Sequence, residues 1–112
     1  MTKDQILAEV VRWLHNDLAN AETEGFWMRA MDAISGDVFG VDSTVAGWDV
    51  ASAALYGSLW FYACLYAGRV WAEDAEGAAA AMGAYQSEVS RVGTSMNKRG
   101  TAQQLTRPGY GA

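Results

Sequence analysis

The side chains able to do chemistry stand far apart in this sequence. His15 is the only histidine and Cys64 the only cysteine among 112 residues. A nucleophile needs an activating base, and no serine or cysteine here has a recognisable activating context. His15 follows Trp13 and Leu14 and reads as a structural histidine, while Cys64 sits among apolar neighbours and reads as a small buried hydrophobe. A single cysteine also rules out an internal disulfide and any paired-cysteine metal spacing. Glu73, Asp74 and Glu76 lack the spacing of a calcium loop and fit the start of a helix, where the dipole favours negative charge. Gly36, Gly40 and Gly47 are not followed by the lysine of a phosphate-binding loop. The expectation is therefore no enzyme, no cofactor and no metal site, which leaves the chemistry of surfaces.

Charge divides those surfaces unevenly. Residues 1–50 hold three basic and nine acidic side chains, residues 51–90 one and four, and residues 91–112 four basic and no acidic ones. Nucleic-acid wrapping needs Lys and Arg on the contacting face, so an acidic body argues against it. A basic tail on an acidic body argues for docking onto another protein surface. The start, MTKDQ, has no apolar stretch behind a basic one, so it does not read as a signal peptide, and a reducing compartment is expected.

The elements that position these charges read as helices. Thr2 and Gln5 form a capping box, and Ile6, Leu7, Val10, Val11, Trp13, Leu14 and Leu18 make the apolar stripe of a helix over about 3–18. Phe26, Ala30, Met31 and Ile34 mark a shorter helix over about 23–35, ended by a left-handed Gly36. Residues 36–48, with three glycines and no helical period, are predicted to form an extended excursion or loose hairpin with an interfacial role. Asp49 is placed to cap a long helix over 50–71, and a fourth begins at Glu73 with Ala78, Met82, Tyr85, Val89 and Val92 on one face. The sequence divides into a helical domain, 1–96, and an extended basic tail, 97–112.

The long third helix contains 19 uncharged residues, Val50–Gly68, bracketed by Trp48 and Trp71. Its length suits a membrane span or a buried helix equally. Ala, Gly, Ser and three tyrosines dominate it, and the two amphipathic helices need a partner face, so the centre of a bundle is favoured over a single membrane span. The fold class is all-α: a small helical bundle with a long antiparallel hairpin, an irregular middle loop and an extended C-terminal tail. Two other readings stay open, a small single-span membrane protein using residues 50–68 and another helical oligomeric interaction module. A secreted WxG-type hairpin is a weak version of the latter, since none of the five tryptophans is followed by glycine two residues on.

Over residues 50–95 the chain resembles the small head-to-tail connector, or adaptor, proteins of tailed bacteriophages. The resemblance lies in the order of parts and in Ala53, Tyr56, Gly57, Asp74, Ala75 and Tyr85. It implies a structural virion protein of the neck, assembled in the host cytoplasm, forming a homo-oligomeric ring of twelve copies beneath the portal protein. A downstream tail or stopper protein would dock below, DNA would pass through the lumen without sequence-specific binding, and no membrane would be involved. Lys98, Arg99, Leu105, Arg107, Pro108 and Tyr110 are the candidate partner-binding residues, the tail acting as an inserted extended peptide. Phe39, Trp48, Trp60, Tyr66 and Trp71 are the candidate subunit-interface residues.

Overall fold

The computed structural model describes residues 1–15, 19–39 and 48–105, and within these the all-α expectation holds. Five helices follow in order: α1 (Lys3–Leu14), α2 (Ala19–Ile34), α3 (Trp48–Leu55), α4 (Gly57–Trp71) and α5 (Ala75–Leu105), with a π-helical turn, Ser35–Phe39, closing α2. Helix α4 is the pillar. It carries Leu59, Trp60, Ala63, Cys64, Leu65, Ala67 and Gly68 in the core, and α1, α2, α3 and α5 all pack on it.

Helix α1 starts as its sequence dictates. Thr2 Oγ1 accepts from the Gln5 backbone N–H at 3.2 Å, and Gln5 Oε1 accepts from that of Thr2 at 3.0 Å. Ile6, Leu7 and Val10 are buried against the bundle, and Lys3 reaches Glu24 of α2 at 2.8 Å. The helix ends four residues earlier than the stripe suggests. His15 adopts a left-handed conformation (φ 52°), its N–H bonding back to the Val11 and Arg12 carbonyls, and this ends the helix before the periodicity runs out. Leu18 lies outside the described residues. At Gly68 on α4 an added Cβ would lie 2.7 Å from Leu14 Cδ1, so the tip of the Leu14 side chain on α1 would have to shift.

Helix α2 begins at Ala19 rather than near residue 23, and it buries Phe26, Trp27, Ala30 and Ile34. Gly36 does not stop it in a left-handed conformation. The chain instead widens into the π-helical turn through Phe39, so the first residues of the expected extended excursion are helical. Residues 40–47, the rest of that excursion, lie outside the described residues.

The long third helix is two helices. Its 19 uncharged residues break at Tyr56 (φ −122°, ψ 52°), and α3 meets α4 at 110°. Asp49 does not cap a continuous helix but sits in the first turn of α3, where its Oδ2 accepts from Trp27 Nε1 at 3.3 Å. Gly57, at the corner, leaves room for the Met1 side chain, 3.2 Å from where a Cβ would be.

The turn from α4 to α5 is tight. Glu73 takes a left-handed conformation (φ 60°), with Glu73 N–H bonding to Val70 C=O at 3.1 Å and Asp74 N–H to Arg69 C=O at 2.9 Å, the two bonds of a Schellman motif. Asp74 then caps α5, its Oδ1 accepting from Gly77 N–H at 2.9 Å while Oδ2 accepts from Arg69 at 3.0 Å. Of the three acids expected in the first turn, only Glu76 is there. Helix α5 runs back along α4 and continues to Leu105, so residues 97–105 extend the helix where an extended tail was expected; residues 106–112 lie outside the described part. A helix of 31 residues spans about 46 Å against about 22 Å for α4, and the molecule is 52 Å long.

Candidate functional site

A cleft of about 550 Å³ opens where α2, the π-helical turn, α4 and α5 converge. Its size falls within the range of sites that accept a small molecule or a few side chains. Ala63 and Ala67 form part of the lining, one turn apart on α4, with Tyr66 beside them. Asp37 and Tyr85 stand together in its wall, the Tyr85 hydroxyl donating to Asp37 Oδ2 at 2.7 Å across 48 residues of sequence. Widening of α2 into a π-helical turn is what carries Asp37 to this position, and such insertions recur at functional sites. Burial, then the hydrogen bond and negative charge of Asp37, push the Tyr85 phenol above its usual pKa, so at neutral pH it is a fixed donor and no base.

This arrangement offers a ligand the Tyr85–Asp37 pair within a partly apolar wall. Neither cysteine nor histidine lines it, and among the described residues no group of three or more His, Cys, Asp or Glu is placed to hold a metal ion. Cys64 is fully buried in α4, and burial raises its thiol pKa far above the usual value, which keeps it an unreactive thiol. His15 serves backbone geometry at the end of α1.

A second organised region surrounds the corner between α3 and α4. The Trp27 and Trp60 rings stack at 4.2 Å with 16° between planes. Both indole N–H groups donate into α3, Trp27 to Asp49 and Trp60 to Ser52 Oγ at 2.7 Å. Residues eight apart in a straight helix are about 12 Å apart along its axis, so the Ser52–Trp60 bond exists only because the chain bends. With Ser52 and Ala53 turned inward, α3 presents Val50 (66% exposed) and Leu55 (53%) to solvent. Among the described residues no single helix is long and apolar enough to cross a membrane; α3 and α4 reach the required length and composition only as a bent pair.

The predicted interface residues scatter. Trp60 is 0% exposed and belongs to the core of its own chain, which removes it from the subunit surface. Trp71 is half-buried edge-on against Phe26 at 6.0 Å, and Tyr66 lines the cleft. Phe39 closes the π-helical turn and Trp48 opens α3. Lys98, Arg99 and Leu105 lie along the end of α5, while Arg107, Pro108 and Tyr110 fall outside the described residues. Sequence reasoning missed Trp27, although it stands three and seven residues before Ala30 and Ile34 on the same stripe. Asp37 carried no such signal, because its partner is set by the tertiary fold. Comparison with known protein families, with characterised proteins and with solved structures finds no match.

Proposed function

We propose that this chain is a structural assembly module that acts through its surfaces, joining copies of itself and a larger partner as a head-to-tail connector does. The observation carrying this reading is the overhang of α5. Residues 93–105 continue for about 20 Å beyond the part of α5 that can lie against α4, and they carry Lys98 and Arg99 away from an acidic body. A helix of about 13 residues is marginal in water by itself, so a neighbouring subunit or a portal laid along this stretch would stabilise it. The acidic body suits a lumen through which DNA slides without adhering.

In its finer form the proposal is a ring of twelve copies in the neck of a tailed phage, assembled in the host cytoplasm, with a portal above and a tail or stopper protein below. Native mass by light scattering tests it. A value many times the 12.1 kDa of one chain, and co-migration with a portal that is lost in Lys98→Glu/Arg99→Glu, is the expected result. A single-chain mass at tens of micromolar, unchanged by a candidate portal, would sink it.

A further inference from the structure

We infer that the cleft between α2, α4 and α5 is a binding site for a small zwitterion with an apolar body about 10 Å long, of which a tripeptide with free ends and apolar side chains is the simplest form. The inference is independent of the assembly reading above, and the two stand or fall separately.

The two ends of the ligand are set by charge. Arg29 and Asp37 both line the cleft, from one continuous helical stretch made of α2 and its π-helical turn. Eight residues separate them, about 12 Å along a helix axis, and they make no ion pair with each other. Among the described residues no carboxylate pairs with Arg29. Asp37 accepts the Tyr85 hydroxyl through Oδ2, and a carboxylate has further lone pairs, so Oδ1 can accept from a ligand. One wall thus offers a cation to a carboxylate and, further along, an anion to an ammonium group. Opposite charges held apart select a molecule that carries both, since a simple acid or amine leaves one of them unanswered. An extended tripeptide measures about 10 Å, and the long Arg29 side chain takes up the remainder.

The middle of the ligand is set by size. Ala33 lies midway between the two charged residues in sequence, and Ala63 and Ala67 line the same space from α4. Both alanines of α4 are buried, so it is the shortness of their side chains that leaves the room. Larger residues here would close the cleft and add packing contacts; its openness therefore costs stability, a trade characteristic of binding sites. An apolar side chain on the guest makes those contacts instead.

Calorimetric titration of the full chain with the peptide Ala-Leu-Ala tests this, beside its N-acetylated and C-amidated forms and octanoate. The free peptide is expected to bind, and blocking either end to weaken binding at least about threefold, the scale of a partly exposed ion pair. Acetylation should make no difference to Asp37→Asn and amidation none to Arg29→Gln, because each variant has already lost the group that reads that end. Ala67→Leu fills the cleft and is expected to abolish binding without lowering the melting temperature; Gln86→Trp, at an exposed cleft position on α5, does the same without touching the core. A wild-type chain that takes up no free peptide at millimolar concentration overturns the inference. So do blocked peptides that bind as well as the free one, or binding that survives in both cleft-filling variants. Octanoate that binds more tightly than Ala-Leu-Ala replaces the zwitterion with a fatty acid and overturns it too.

Discussion

Two sharp bends flank α4, and they are made in opposite ways. The bend into α5 is local: a left-handed Glu73, two Schellman hydrogen bonds and an Asp74 cap lie within nine consecutive residues, Arg69–Gly77. The bend out of α3 has no side-chain cap at Tyr56 and is held by two indoles bonding to Asp49 and Ser52. A local bend forms from its own sequence, whereas a clamped bend needs α2 already in place. The Asp37–Tyr85 bond belongs to the second kind, since it joins the π-helical turn to α5.

The largest effect is expected where the clamp is removed. Trp60→Ala should cost about 3–5 kcal/mol, because it opens a core cavity and leaves the buried Ser52 hydroxyl without its donor. Urea denaturation followed by circular dichroism measures this, and a cost below about 1 kcal/mol would show that the corner does not rely on the tryptophan pair. Asp74→Ala should cost about 1–3 kcal/mol, the sum of a lost cap and a half-exposed partner for Arg69, and it should leave the α3–α4 corner unaltered.

Tyr85→Phe comes next, at about 1 kcal/mol. Its pH dependence sharpens the comparison. The folded phenol has its pKa raised above the ordinary value of 10, so its contribution is fully present below pH 10 and lost as pH climbs toward the folded value. Wild type should therefore lose stability above pH 10 more steeply than Tyr85→Phe, read from denaturation midpoints between pH 9 and 11; parallel curves would remove the hydroxyl bond from the account. The smallest effect has the opposite sign. Glu73→Gly relieves a left-handed non-glycine residue and should raise stability by up to about 1 kcal/mol, seen as a higher melting temperature.

Local features were legible in the residues. The Thr2–Gln5 capping box, the Ile6–Leu7–Val10 stripe and the α5 face through Ala78, Tyr85 and Val92 appear in the structure as read. The 110° corner was not legible, because Val50–Gly68 carries no proline and its composition suits one continuous helix. Part of the α5 side of the cleft could be anticipated, since Met82, Tyr85 and Val89 fall on the predicted face of that helix. Asp37 could not, because a π-helical turn has no reliable sequence mark.

The sequence by itself determined an all-α chain and an acidic body with a basic end, since these follow from composition and periods of a few residues. Only the tertiary structure decided that Trp60 faces inward and not toward a neighbour, that the uncharged run folds at Tyr56, and that Asp37 meets Tyr85 beside an open cleft. These depend on which helix lies beside which, and side chains eight or forty-eight residues apart can find each other only after the backbone between them has packed.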